Sequence, residues 1–415
     1  MRTCLFILIL SLSAFTVTGQ NEKSLSVADS LYKLAQYGES ANAYETYFNS
    51  HMDASVAVDF YKAAVAFSKS GNAEKAVLWL QKSVDNGMDD KYLTEIRFDL
   101  NFYPIRHTKS WKEFFKRNTL IFEEEALKIS HPEIRNELLE LWQSDQYYRQ
   151  LIFGKYNGRA PKELGVATEA VDRFNAIRIE QIVDEIGWPS YSKVGRDGAH
   201  AAWNIIQHAV FNPPLMKRCL AEMEKALKNQ EVDGIDYAYL YDRFQAVCYL
   251  GKQDFGIVRR VPIREEYLVD QRRKEIGFKK TLKEYLGEYT PKSKEECEKI
   301  EQELLEKYKT NLEKAKPLLA VGDYEGAAKY YRALMSCYGY IQTEDIYNYA
   351  KIKSRQNTGR SRFQAIRYIR CLSVRGFNDV KKLQEEPAFE NIRAEKGFKE
   401  IVEIIKKYNT SSGEN

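Results

Sequence analysis

Sulfur and imidazole are scarce in this chain: six cysteines and five histidines among 415 residues. Apart from Cys4, the cysteines are Cys219, Cys248, Cys297, Cys337 and Cys371, an odd set with no Cys-x-x-Cys spacing. That excludes a disulfide framework and a zinc knuckle, and leaves room for at most a bridge such as Cys219–Cys248 in an oxidising compartment. A metal site could join His208 to Asp145, Asp172 or Asp242, but no His-Glu-x-x-His, His-x-His or carboxylate–histidine spacing supports one. His200 and His208, eight apart, stand about 12 Å from each other along a helix, too far to share one ion. A glycine-rich phosphate loop, a nucleophile elbow and a cysteine–histidine signature are missing as well, so neither metal nor cofactor is expected. Charge of one sign is also lacking. Lys and Arg exceed Asp and Glu by only 63 to 59, whereas a phosphate-binding surface needs a basic excess, so no nucleic-acid partner is expected.

Long apolar runs are absent too, except at the start. Arg2, the mostly apolar Leu5 to Leu12 and the small residues Val17-Thr18-Gly19 read as the three regions of a secretory signal over residues 1–19. Cys4 precedes the apolar run, whereas a lipoprotein cysteine follows it. No later segment approaches the ~18 apolar residues of a membrane span. The expectation is a secreted or periplasmic protein, not a lipoprotein, with no anchor after cleavage; the alternative is an uncleaved anchor. A hydrophobic content of 44% and aromatic content of 13% exclude a largely disordered chain and supply apolar cores.

What the chain does contain is self-similarity. Shifted by 287 positions, Phe102, Ile105, Arg106 and Trp111 fall on Phe389, Ile392, Arg393 and Phe398. Gly38, Gly71 and Gly322 are each followed five residues later by an alanine (Ala43, Ala76, Ala327), and Gly359 marks a weaker fourth turn. Glycine permits a tight turn between antiparallel helices and alanine lets them approach closely. These segments resemble tetratricopeptide repeats, and the Phe-x-x-Ile-Arg tails resemble the segment that caps such modules. Two repeats per flank is a small array, which predicts that both flanks pack against the middle or each other.

The reading is all-α, with tetratricopeptide-like modules at 20–120 and 291–408 around a central helical domain at 121–290, and a disordered tail at 409–415. The C-terminal module opens with a solvated connecting helix rich in Glu and Lys over 291–315. In the centre, Ile134, Leu138, Leu141 and Trp142 form one apolar helical face, and Val171, Phe174, Ile177 and Ile182 another. His131-Pro132 and Asn212-Pro213-Pro214 read as helix starts.

Unusual polar residues interrupt these helices. Asp145-Gln146 with Arg149, Asp172 with Asn175, Gln207-His208, Asp242-Arg243 and Gln253 stand out. His208 fits two roles: an acid/base group titrating near neutral pH, or a satisfied core histidine. Asp145 and Arg149, four apart, share a helical face and read first as an ion pair. Arg149 and Arg243 suit either a buried clamp with aspartates or an anion pocket. The pattern Asp145-Gln146-x-x-Arg149, Asp172-x-x-Asn175, Gly187-Trp188-Pro189, Val194-Gly195, Gln207-His208-Ala209, Tyr239-Leu240-x-Asp242-Arg243 and Arg273-x-x-x-Gly277 resembles an uncharacterised bacterial family, a domain of unknown function, over residues 134–289. One departure lies after Gln253, where Phe255-Gly256-Ile257-Val258 replaces a Tyr-Gly-Thr-Gln-like loop. The family implies no reaction.

Two functions follow. One is an envelope protein whose repeat modules hold a protein or peptide partner. The other is an enzyme, hydrolysis included, or a small-anion binder built in the centre. There His208, Asp145 and Asp242 would be the catalytic candidates, and Arg149, Arg243, Gln207, Asp172, Asn175 and Gln253 would contact ligand.

Overall fold

A computed structural model describes residues 22–410, apart from 53–54, 89–92, 94, 98, 120–123, 125–126, 157 and 288. The expected signal at 1–19 and residues 411–415 of the expected tail lie outside the described residues. Among the described residues the chain is all-α; its one extended pairing is an isolated parallel bridge, Gln253 with Ile263. It divides into two compact units, the first reaching Asn175 and including Pro189–Ala202, the second holding Ala176–Trp188 and everything from Trp203 onward.

The first unit opens with two helical pairs, α1 (Glu22–Lys33) with α2 (Tyr37–His51) and α3 (Ala57–Lys69) with α4 (Ala73–Asp85). A 3-10 turn (Leu100–Ile105) and α5 (Lys109–Asn118) cap them. Their core is aromatic. Phe48, Phe60 and Trp79 meet with ring centres 4.7 to 5.9 Å apart, and Phe102, Trp111 and Phe114 close the end. Each such buried ring is worth roughly 1.5–3 kcal/mol of transfer free energy. The cap adjoins α6 (Pro132–Tyr156), where Gln150 accepts from the Leu100 amide at 2.7 Å.

Helices α7 (Lys162–Ile186) and α8 (Tyr191–Ile206) follow. Inside α8, Gly195 takes φ 73°, ψ 170° and breaks the helix; Asp197 accepts from the Gly198 amide at 2.8 Å, at the start of the next helical stretch, and is gripped by both prongs of Arg135. The second unit continues with α9 (Pro213–Lys228), capped by Asn212 with two prolines in its first turn, and α10 (Gly234–Phe244), which widens into a π-turn over Gln245–Tyr249. Short helices α11 (Val269–Glu275) and α12 (Leu282–Leu286) complete the centre.

The second repeat module comprises α13 (Lys294–Ala320), α14 (Tyr324–Leu334), α15 (Thr343–Arg355) and α16 (Gly359–Leu372). Its cap is α17 (Val380–Glu385), a 3-10 turn (Pro387–Phe389), α18 (Glu390–Arg393) and α19 (Lys396–Thr410). It is sewn to the π-turn. Arg375 donates to the Tyr249 carbonyl at 2.7 Å, Cys371 Sγ lies 3.5 Å from the Val247 carbonyl, and Leu250 enters the module's core. Within each unit, then, a repeat module packs on central helices, as its small size demanded.

Five sequence expectations need correction. Gly38 is not a turn residue: it lies in the first turn of α2, and the left-handed position before that helix is Ala35 (φ 59°). Counted from there, the small residue five positions on is Ser40, fully buried and bonded to the Ala28 carbonyl at 2.8 Å. Gly359 likewise opens α16, and the left-handed residue is Asn357. Gly71 and Gly322 do hold the turns, with φ 83° and 78°. On α7 the buried face is Ala176, Ile179, Ile182 and Val183, whereas Phe174 and Ile177 are more than half exposed. The expected connecting helix is in part the first helix of the C-terminal module, burying Tyr308 and Ala315, and α19 runs through Thr410.

Candidate functional site

In the first unit, α6 and α7 bring four of the expected residues together. Arg149 Nη1 donates to Asp145 Oδ1 at 2.9 Å and Nη2 to Asp172 Oδ1 at 2.6 Å. One guanidinium thus bridges two carboxylates, with Asp145 almost wholly buried and Gln146 donating to its other oxygen at 2.7 Å. Asn175, one turn beyond Asp172, donates to the Leu141 carbonyl at 3.1 Å, leaving its buried Oδ1 without a partner among the described residues. Such a buried, charge-assisted knot locks helix register and is costly to break on one side only.

In the second unit, Arg243 donates from Nε to the Gln207 carbonyl at 2.8 Å, and the Gln207 amide reaches Asn204 Oδ1 at 3.2 Å. His208 follows, half-buried, in the turn that ends α8, its amide bonded to the Ile205 carbonyl. Asp242 does something the sequence did not announce. Its buried carboxylate accepts from the amides of Asp254, Phe255 and Ile257 at 2.8 to 3.2 Å, so it pins the loop carrying the unusual Phe-Gly-Ile-Val segment. Burial pushes its pKa up to about 6, against the pull of those three donors. Gln253 staples the same loop, donating to the Val258 and Val261 carbonyls and accepting from the Val258 amide.

Gly256 fits this loop for steric reasons. Its φ is 71°, and a Cβ would come within 2.6 Å of Leu282 and 2.9 Å of Ile263. Arg273, 1% exposed, holds the loop from below through the carbonyls of Phe255, Lys280 and Thr281, its cation lying over the rings of Phe278 and Tyr285. Burial lowers its pKa to about 10. Asp242, Gln253 and Arg273 are therefore three anchors of one loop.

The C-terminal module holds an open groove of about 460 Å³ between α13 and α15, floored by Tyr331 of α14. Tyr308, Leu312 and Lys316 line one wall, Asn348 and Lys351 the other. Tyr308 donates to Asp345 at 2.6 Å, and burial pushes the Tyr331 phenol up to about 12, against a hydrogen bond from Asn348. Lys316 is exposed and has no acidic partner among the described residues. Sequence reading had not named these groove residues, nor the His200–Glu95 contact at 3.0 Å inside the first unit. The only sequence signal for the groove was the repeat period itself.

No curated protein matches the chain. Among solved structures it is similar to the tetratricopeptide domain of P58(IPK), at 13% identity over 96% of this chain and all of that one, with a TM-score of 0.17. It is also similar to yeast Tom70, at 12% identity over 95% and 91% of the two chains, with a TM-score of 0.20. The centre, which supplied the motif resemblance, has a match of its own: residues 132–290 fit a family of unknown function, DUF6624.

Proposed function

We propose that this chain is an exported, envelope-located helical-repeat protein that holds a segment of a protein partner in its repeat modules. The observation that carries the reading is the groove between α13 and α15, with a tyrosine floor and an unanswered cation, Lys316, on its wall. Apolar stems and rings supply area, while amide and ammonium donors read an extended backbone. The test places a photo-crosslinking benzoylphenylalanine at Leu312, inside the groove, and at Val321, which is 81% exposed and outside its lining. A discrete adduct from position 312 that disappears in Lys316→Glu, with none from 321, is the expected result; equal labelling at both defeats the reading. Export is checked separately, by fractionation and by the mass of the mature amino end, expected at Gln20.

A second reading keeps chemistry in the centre, with His208 as acid/base and Arg243 fixing the turn before it through the Gln207 carbonyl. Asp242 then acts as a positioning residue. His208→Gln would abolish turnover of a substrate while leaving the Leu312 adduct intact. Loss of folding would instead assign the histidine to the core.

A further inference from the structure

The second helical pair of the C-terminal module and its approaches are strongly basic: residues 324–375 hold ten Lys and Arg against three Asp and Glu. Acids of the cap answer three of these cations. Lys351 meets Glu386 at 3.4 Å, Arg362 meets Glu395 at 2.9 Å and Arg370 meets Glu400 at 3.5 Å. Arg332, Lys353 and Arg360 have no carboxylate partner among the described residues.

Lys353 is the informative member. It is 6% exposed, its ammonium lies 5.0 Å from the centre of the Tyr349 ring, and its one hydrogen bond goes to the neutral Gln356 amide at 3.1 Å. Arg332, from α14, lies close enough to that same tyrosine to act on its phenol, and Arg360 stands in the first turn of α16. Burial and repulsion from these two arginines lower the lysine's pKa. A snorkelling lysine would carry its head into water. This one is held inside, beside two like charges, and a buried charge is ordinarily paired. Such a grouping of like charges suits an anionic ligand.

We propose that Arg332, Lys353 and Arg360 form a binding site for a phosphate-class dianion beside the Tyr349 ring. Two guanidinium forks match the oxygens of a phosphate group and the ammonium adds a point charge. The amino end of α16, where Arg360 sits, favours the same sign of ligand. The site does not depend on the peptide groove.

The test titrates the full chain with inorganic phosphate at constant ionic strength, sodium chloride making up the balance, and follows thermal unfolding and direct calorimetric binding. A saturable, one-to-one rise in Tm is expected with phosphate and none with chloride. Lys353→Met should unfold at a higher temperature than the parent without phosphate and lose the response to it. Arg360→Gln changes an exposed side chain, keeps the fold and should weaken phosphate binding about tenfold. An equal response of the parent and Arg360→Gln, or an equal rise with chloride, overturns the site. Vesicles of phosphatidic acid against phosphatidylcholine identify the source. Co-sedimentation with the former alone, lost in Arg360→Gln, assigns a lipid headgroup; phosphate binding without sedimentation assigns a soluble phosphate compound.

Discussion

The two repeat modules are one design executed twice, and they differ where it matters. Helices α2 and α14 open at Tyr37 and Tyr324, α3 and α15 at Ala57 and Thr343, α4 and α16 at Ala73 and Gly359, and α5 and α19 at Lys109 and Lys396. These are offsets of 287, 286, 286 and 287 residues. The capping chemistry is shared down to single bonds. Arg106 donates to the Asp99 carbonyl at 2.8 Å and Arg393 to that of Glu386 at 2.7 Å. Tyr61 donates to the Asp99 carboxylate, Tyr347 to that of Glu386, and each acid also accepts from an amide two residues on. The polar groups around the equivalent tyrosines, Tyr44 and Tyr331, differ. Where the first module has Asp29, bonded by Tyr44 and paired with Lys62 at 3.1 Å, the second has Lys316 and Asn348 around Tyr331. Packing and backbone capping are shared, while an acid at position 29 is matched by a cation at 316 and the cation at 62 by a neutral amide at 348. That is the pattern expected if the scaffold is common and the ligand is not.

The equivalence of the caps is broken most forcefully at their buried phenylalanines. Phe102→Ala and Phe389→Ala each remove a fully buried ring and should each cost about 3–5 kcal/mol. Urea unfolding of the full chain measures both. Costs within about 1 kcal/mol of each other sustain the equivalence, while a much smaller loss at one would show that its neighbours collapse into the space and the caps are not alike.

The centre adds buried polar anchors to its ring contacts, and Asp242 isolates their contribution. Asp242→Asn puts an amide group against a ring of N–H donors and should cost roughly 1–3 kcal/mol near pH 7. The pH dependence gives a sharper signature. Its pKa in the folded protein, about 6, lies above the ordinary 3.8, so the folded state binds the proton more tightly. The stability this contributes is complete below about pH 4 and is lost as pH rises through 6, amounting to about 3 kcal/mol in all. The gap between parent and Asp242→Asn should therefore be wider at pH 4 than at pH 7. A gap that narrows on acidification would mean that the amide donors, and not burial, govern the group.

These contrasts also show what a sequence can carry. The repeat, the cap and the turns at Gly71 and Gly322 were legible because glycine, a spaced alanine and an Phe-x-x-Ile-Arg string each carry a local physical requirement. The turn before α2 was misplaced because Ala35 adopts a left-handed conformation that glycine usually signals. The face of α7 is misphased in the sequence because Phe174 and Ile177, two large apolar residues, point to solvent while small Ala176 and polar Asn175 point inward. The Asp145–Arg149 pair was visible from its spacing of four, but the bridge to Asp172 was not, since it joins two helices. Asp242 was singled out as an acid with chemistry to do. Its partners are backbone amides, which leave no mark in the sequence.

The smallest expected effect is the most direct test of the difference around Tyr44 and Tyr331. Asp29 and Lys62 are partly exposed, so their coupling, measured by a double-mutant cycle with Asp29→Asn and Lys62→Met, should be about 0.2–1 kcal/mol. Transplanting the pair into the second module, as Lys316→Asp with Asn348→Lys, should create a coupling of similar size there. It should also draw the Tyr331 phenol onto the new carboxylate, as Tyr44 is drawn onto Asp29, raising its pKa further. The stability change is slight, because exposed ion pairs gain little over their hydrated parts. The consequence for binding is large, because the groove loses its free cation and the Leu312 crosslink should fail. Appearance of the coupling without loss of the crosslink would separate the two halves of the comparison: the modules would share a scaffold, and the partner would be held by apolar contacts alone.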